Sequence, residues 1–168
     1  MSKHAAKHAH AATPAVAALV AEQVPHTLHA YAHDPATDLG YGLEAAAALG
    51  VEPEQVFKTL CAYVDGRLCV GIVPVTCKLD LKALAHVLGG KRAEMAPPAD
   101  AERSSGYVVG GISPIGQRKA LPTALDETAE LFDTIYVSGG RRGLDIGLSP
   151  SDLARITGAA VGPIAKDS

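Results

Sequence analysis

Tryptophan is absent from the 168 residues of this chain, and aromatic residues make up only 4% of it, whereas 48% of the residues are hydrophobic. The core must therefore be built mainly from Ala, Val, Leu and Ile. The scarcity of aromatic side chains argues against a protein that binds single-stranded nucleic acid by base stacking. The length fits one domain, because domains usually hold about 100–200 residues.

Long apolar runs and a strong excess of one charge are also missing. No stretch of about 18 apolar residues is present, and the N-terminus lacks the charged-then-apolar order of a secretory signal. The formal net charge of −3 argues against non-specific binding to DNA or other long nucleic acid. These features predict a cytoplasmic enzyme or binding protein that makes no contact with a membrane.

Cysteine is scarce as well, and its pattern does not indicate a metal centre. Cys61, Cys69 and Cys77 are odd in number, and their spacing matches no zinc motif. His29 and His33 lack further ligands at a suitable spacing. We therefore expect reduced, packed cysteines, no metal site and no cofactor.

Two parts of the chain differ in composition. Residues 1–12 are rich in His and Ala without an apolar period, which predicts a disordered lead-in. A single folded domain is then expected over residues 13–168. Four helices with start or stop signals are predicted in it, at 14–24, 38–49, 81–88 and 150–156. Glu44, within the second of these helices, is expected to be solvated.

A β-hairpin is the clearest strand prediction. Asp65-Gly66 separates two apolar runs, and this dipeptide is typical of a two-residue hairpin turn. The turn sets Cys69 opposite Ala62 and Cys61 opposite Val70. The two thiols then lie on opposite faces of the sheet, which excludes a disulfide between them.

A second strand pair is predicted at 134–138 and 144–148. The apolar alternation in both strands directs Ser138 and Asp145 away from the core side. A regular loop would not produce this arrangement, so one extra residue is required. A β-bulge at one of two neighbouring glycines would supply it, Gly139 or Gly140.

The segment 106–117 (GYVVGGISPIGQ) combines an apolar run of β type with a turn rich in glycine. Gly110 and Gly111 lack Cβ atoms, so a ligand can approach the main-chain N–H groups closely. The segment is not a phosphate-binding P-loop, because no Lys-Ser/Thr pair follows Gly116. Two interpretations remain: an oxygen-binding loop, or a glycine turn at the edge of a sheet.

Four motifs, taken in order, resemble the YbaK family of free-standing aminoacyl-tRNA deacylases, which is related to the editing domain of bacterial prolyl-tRNA synthetase. The motifs are 56–60 (VFKTL), 79–82 (LDLK), 106–117 and 138–146 (SGGRRGLDI). The resemblance implies a mixed α/β (α+β) fold whose curled, mostly antiparallel mixed sheet forms a partly open barrel flanked by helices.

The resemblance also implies a set of site residues. By position, the family's site residues correspond to Tyr31, Lys58, Gly110, Ser138 and Asp145. The family typically has an aromatic residue near position 39, where this chain has Leu39, so we expect a different pocket wall. Lys58 would otherwise be interpreted as a solvated residue at the edge of a strand.

The chemistry of ester hydrolysis extends this set. An oxyanion site could form from the loop N–H groups of Gly110, Gly111 and Ile112, next to Ser113. Arg141 and Arg142 are expected near the acceptor stem of a tRNA. No motif indicates a Ser-His-Asp or Cys-His arrangement. This fits the mechanism proposed for the family's Cys-specific members, in which the thiol of the bound cysteine attacks its own ester.

The implied function is hydrolysis of mischarged tRNA in trans, with Cys-tRNA(Pro) as the leading substrate. The enzyme would be a carboxylic ester hydrolase, or of lyase type if it releases a cyclic thioester. The expected partners are the acceptor end of tRNA(Pro) and prolyl-tRNA synthetase. Two alternatives stay open: a deacylase for another ester such as Ala-tRNA(Pro), and a noncatalytic module that binds tRNA or aminoacyl-adenylate.

Overall fold

A computed structural model describes residues 13–168, so the predicted lead-in at 1–12 lies outside the described residues. Within 13–168, five α-helices follow one another, and none has the length and apolar run needed to cross a membrane. They are α1 (Pro14–Ala21), α2 (Tyr41–Leu49), α3 (Leu81–Val87), α4 (Pro98–Ser105) and α5 (Pro150–Thr157).

The strands are short and form three sheets. In chain order they are β1 (Thr27–Ala30), β2 (Phe57–Val64), β3 (Arg67–Pro74), β4 (Cys77–Leu79), β5 (Ala93–Met95), β6 (Thr123–Asp126), β7 (Ile135–Arg141), β8 (Leu144–Leu148), β9 (Ala160–Gly162) and β10 (Ala165–Asp167). The largest sheet has the order β5-β2-β3-β6-β9. A second has the order β1-β8-β7, and β10 pairs with β4.

The two larger sheets meet where β2 begins. Val56 forms an isolated parallel bridge with Tyr136 of β7, which brings β7 beside β2. Antiparallel pairs dominate, and the pairs β3–β6 and β6–β9 are parallel. The sheets therefore curve around a common interior without closing into a barrel. The predicted mixed α+β fold with a partly open, curled sheet is confirmed.

The hairpin has the predicted register. Cys61 pairs with Val70 and Ala62 with Cys69. Asp65 and its neighbour Gly66 both have positive φ, at 49° and 82°, as the two-residue turn with matching twist requires. The result places the two thiols on opposite faces, as the sequence predicted.

A β-bulge between β7 and β8 is also confirmed, but it holds two unpaired residues, Gly139 and Gly140, instead of the one that was predicted. Ser138 pairs with Asp145, and the next partner of Leu144 is Arg141, so the register shifts between Ser138 and Arg141. Gly140 has a φ of 105°. The shift keeps Ile146 on the core side while Ser138 and Asp145 face the other way.

Segment 106–117 does not contain the predicted β-type run. Tyr107, Val108 and Val109 pair with no strand. Instead the Tyr107 hydroxyl donates to the Ile115 carbonyl at 2.7 Å, and the Tyr107 N–H donates to the Ser105 hydroxyl. The apolar residues pack individually, so the segment is a loop that is closed on itself, and we call it the glycine loop.

The expectation that Glu44 is solvated was wrong. Its carboxylate is buried, and it accepts the Asp34 N–H at 2.7 Å and lies 2.8 Å from the His33 imidazole. These hydrogen bonds, led by the Asp34 N–H, lower the pKa of Glu44. The predicted helix also begins later, at Tyr41, because Gly40 adopts a φ of 79°. The Glu44 carboxylate therefore holds His33 and Asp34 against α2, and the residues before Tyr41 do not extend the helix.

Gly116 provides a test of how closely the glycine loop packs on α1. Gly116 and Gly158 share a φ near 68°, but a Cβ at Gly116 would lie 2.6 Å from the Pro14 carbonyl oxygen, whereas nothing lies within 4 Å at Gly158. Both Gly→Ala variants add left-handed strain of about 1–2 kcal/mol. We expect Gly116→Ala to cost roughly 1–3 kcal/mol more, from overlap. Urea unfolding would check this, and equal losses in the two variants would contradict it.

Candidate active site

One cavity of about 450 Å³ lies between β2, α2, α4 and the glycine loop. Its size falls within the range usual for small-molecule pockets. Most of its wall is apolar, contributed by side chains such as Leu43, Val56, Phe57, Leu60, Val75 and Met95. The site is therefore suited to a small organic group rather than to a bare ion.

Most of the predicted site residues converge on this cavity, although they come from distant parts of the chain. Those that line it are Tyr31, Leu39, Lys58, Gly110, Ile112, Ser138 and Asp145. Four others do not line it, namely Gly111, Ser113, Arg141 and Arg142. The curvature of the sheet brings the first set together, because β2 and β7 run side by side.

Asp145 is the only carboxylic acid among the described residues that line the cavity. It is 5% exposed, and none of the residues 13–168 forms a hydrogen bond with its side chain. Burial raises the pKa of Asp145 to about 7. Across the strand pair, the Ser138 hydroxyl accepts the Gly140 N–H at 3.3 Å. Near neutral pH, Asp145 can therefore both accept and donate a proton.

Lys58 supplies the cavity's ammonium group. Its side chain is partly buried on β2, and no carboxylate among residues 13–168 comes within 4.0 Å of it. Burial lowers the pKa of Lys58, and the positive charge of Lys78 acts in the same direction. A partly desolvated ammonium with no ion-pair partner among residues 13–168 is available for an anionic or polar ligand.

The glycine loop contributes backbone donors, but fewer than predicted. The Gly111 N–H donates to the Val108 carbonyl at 2.8 Å, so it is already used within the turn. The N–H groups of Gly110 and Ile112 have no acceptor among the described residues. Ser113 is fully buried, and its hydroxyl accepts the Ile115 N–H, which holds the loop's shape.

Arg142 fixes the glycine loop from outside the cavity. Its Nε donates to the Val109 carbonyl at 2.9 Å, and its guanidinium lies 5.2 Å from the centre of the Tyr41 ring. A Cβ on Gly110 would come within 2.7 Å of that ring. The loop, the β7–β8 turn and α2 are therefore packed as one unit.

Among the cavity residues that were not predicted from the sequence, Tyr41, Thr59 and Cys61 have side chains with a polar or ionisable group. Thr59 has a buried hydroxyl without a hydrogen-bond partner among the described residues. Burial raises the pKa of Cys61 to about 11, so its thiol stays protonated. Alternation along β2 did not indicate Thr59 and Cys61, because residues from both faces of the strand, Lys58 among them, line the cavity. No sequence pattern indicated Tyr41, because its contacts come from distant segments of the chain.

A small, mostly apolar cavity with one acid, one ammonium and two backbone donors can hold a small organic group that carries a polar end. Residues 41–156 match the aminoacyl-tRNA editing domain family. The chain therefore belongs to the aminoacyl-tRNA editing domain family. It carries the YbaK-type motifs of that family, whose activity is deacylation of aminoacyl-tRNA.

Individual relatives agree with this assignment. The chain is 41% identical to EbsC of Enterococcus faecalis, a proposed Cys-tRNA(Pro)/Cys-tRNA(Cys) deacylase, over 67% of this chain and 69% of that protein. It is 30% identical to a proline–tRNA ligase of Shouchella clausii over 60% of this chain, but over only 18% of the ligase. The second match therefore concerns one part of a larger enzyme.

A solved structure has the same fold. It is described as a proposed trans-editing enzyme for prolyl-tRNA synthetase, and it superposes with a TM-score of 0.76 at 24% identity. The superposition covers 91% of this chain and 95% of that one. This likeness supports the fold alone.

The buried carboxyl of Asp145 should make stability depend on pH. Its folded pKa of about 7 exceeds the ordinary value of 3.8, so between these values the folded state binds more protons than the unfolded state. Stability then falls as pH rises through this window, by up to about 1.4 kcal/mol per pH unit. We expect Asp145→Asn to lose this dependence, measured by urea unfolding between pH 5 and 8.

The matched control is Asp133→Asn, because Asp133 is exposed. This variant should keep the pH dependence of the unmodified protein. Parallel pH curves for the unmodified protein and Asp145→Asn would show that the carboxyl is not held in a raised-pKa state.

Proposed function

We propose that this protein hydrolyses Cys-tRNA(Pro) in trans and that the thiol of the bound cysteine is the nucleophile. The observation that carries the proposal is the composition of the cavity, which holds Lys58, Ser138 and Asp145 beside the free N–H groups of the glycine loop. The relation to EbsC supports cysteine as the amino acid. The cytoplasm, where aminoacyl-tRNA is used, is the proposed location.

The cavity favours a nucleophile supplied by the substrate. None of the histidines among residues 13–168 lines it, so that part of the chain offers the Ser138 hydroxyl no imidazole base. The Cys61 thiol has a pKa of about 11, which disfavours the thiolate. A cysteinyl ester brings its own thiol, whose ordinary pKa is about 8.5. Asp145, with a pKa near 7, matches the requirement for a general base at neutral pH.

In the proposed reaction, Asp145 takes the proton of the cysteinyl thiol. The sulfur attacks the ester carbonyl carbon and forms a C–S bond. The N–H groups of Gly110 and Ile112 stabilise the negative charge that develops on the carbonyl oxygen. The C–O bond to the terminal ribose then breaks, and the ribose oxygen takes the proton that Asp145 received from the thiol. A four-membered cyclic thioester leaves, and water opens it to free cysteine.

Lys58 has a separate role in this proposal. Its ammonium binds the terminal phosphate or the ribose hydroxyl of the tRNA end, and so aligns the ester with the loop. This role requires a positive charge that is not neutralised by the protein, and no carboxylate among residues 13–168 lies within 4.0 Å of Lys58. Prolyl-tRNA synthetase is the proposed source of the mischarged tRNA and a proposed partner. The main contribution of the protein is then positioning and exclusion of water.

Replacing Lys58 tests the proposed alignment. Lys58→Ala should lower kcat/KM for Cys-tRNA(Pro) by at least about 100-fold, which is the scale of one electrostatic contact to a reacting group. The melting temperature should change little, because the ammonium has no ion-pair partner among residues 13–168. The control is Lys82→Ala on α3, where the side chain is exposed. Activity near that of the unmodified protein would remove Lys58 from the site.

The identity of the nucleophile is tested by comparing esters on one tRNA. Ser-tRNA(Pro) should bind with similar affinity to Cys-tRNA(Pro) but react far more slowly, because a neutral hydroxyl is a poorer nucleophile and a four-membered lactone is strained. Cys61→Ala should retain most of the activity. Single-turnover rates on Cys-, Ser-, Ala- and Pro-charged tRNA(Pro) provide the measurement. Equal rates for the cysteinyl and seryl esters would instead indicate attack by water.

The same panel separates the alternatives. A preference for the alanyl ester would indicate a deacylase of different specificity. Binding of all four without turnover would indicate a noncatalytic module.

A further inference from the structure

A second cleft, of about 630 Å³, lies on the other side of α4 from the cavity. Asp100 and Arg103 of α4 line it, whereas Pro98 and Ala101 line the first cavity. The two sites share no lining residue. We call the second site the basic cleft.

The basic cleft concentrates positive charge on a chain whose net charge is −3. Four cationic residues line it, namely Arg67, Arg103, Arg118 and Lys119. Asp100 is its only acidic residue, and its carboxylate is engaged by the Tyr63 hydroxyl at 2.6 Å and by Arg103 at 2.5 Å. A concave surface with this excess of cations attracts an anionic ligand.

Three of these cations have no acidic partner. No carboxylate among residues 13–168 lies within 4.0 Å of Arg67, Arg118 or Lys119, and residues 1–12 contain no Asp or Glu. All three residues are exposed. Their charges are therefore available to a ligand.

The backbone that carries two of these cations is held against α4. The Arg118 N–H donates to the Ser105 carbonyl at 2.9 Å, and the Lys119 N–H donates to the Ser104 carbonyl at 3.2 Å. Ser104 also has a buried hydroxyl without a hydrogen-bond partner among the described residues. The wall of the cleft that carries Arg118 and Lys119 is therefore fixed in position on α4.

We propose that the basic cleft binds backbone phosphates of the RNA strand whose aminoacyl end occupies the cavity. This inference rests on the proposed function. A helix is about 10–12 Å across, a distance that a few nucleotides of an extended strand span. A strand that crosses α4 from the cavity therefore presents phosphates to the cleft within a few nucleotides of its end.

Neutralising two of the unpaired cations tests this inference. Arg118→Gln/Lys119→Gln should weaken binding of uncharged tRNA(Pro) roughly tenfold at low salt, since each lost contact is a solvent-exposed ion pair that contributes about threefold to affinity. The slope of log K against log salt concentration should become shallower by about one to two. The control is Lys82→Gln/Arg155→Gln, which removes the same charge from exposed positions that line neither site. Equal affinities and slopes for the two double variants would overturn the proposal.

A small substrate separates this inference from the proposed function. Adenosine esterified with cysteine on its ribose carries no backbone phosphate, so its hydrolysis reports on the cavity alone. The ratio of kcat/KM for Cys-tRNA(Pro) to that for the adenosine ester should fall in the cleft variant and stay constant in the control.

If the unmodified protein hydrolyses neither ester, the proposed function fails, while the binding measurements still decide the role of the cleft. ATP is the probe for a free-nucleotide site. Binding of ATP that the cleft variant loses, with unchanged affinity for tRNA, would overturn the proposal.

Discussion

The close approach of main chains around the glycine loop is the constraint on which the site depends. A Cβ at Gly111 would lie 2.7 Å from the Arg141 backbone, and a Cβ at Gly116 would meet the backbone of Pro14. Contacts of this kind are possible only without side chains. These contacts hold the glycine loop between α1 and the β7–β8 turn, so that Gly110 and Ile112 line the cavity. Arg142, which does not line the cavity, donates a hydrogen bond to the Val109 carbonyl of the loop.

Desolvation then gives the cavity its chemistry. Asp145 and Lys58 are both withdrawn from water, which raises the pKa of the acid and lowers that of the base. Neither has an ion-pair partner among the described residues, so each keeps its capacity for a ligand. The same burial keeps the Cys61 thiol protonated. The cavity thus holds an acid and a base with shifted pKa values and a thiol that stays protonated. This combination suits the proposed reaction, in which the substrate carries the nucleophile.

Much of the fold was predictable because local signals decided it. The Asp65-Gly66 turn determined the hairpin register, and the alternation around Ser138 required the bulge. The first predicted helix does begin at Pro14, and the hydroxyl of the preceding Thr13 accepts the Val16 N–H. The short strands β9 and β10 were missed, because three residues carry too little periodicity and their pairing partners, β6 and β4, lie far away in the sequence.

The amino-acid sequence was sufficient to predict the family and the strand registers that tight turns set, and it singled out the candidate site residues. These follow from spacing and from backbone preferences that act over a few residues. Only the tertiary structure decided that Gly111 and Ser113 serve the loop rather than the cavity, that Glu44 is buried beside His33, and that Tyr41 packs on Gly110. Each of these depends on atoms brought together from distant segments, whose burial and hydrogen bonds no local pattern specifies.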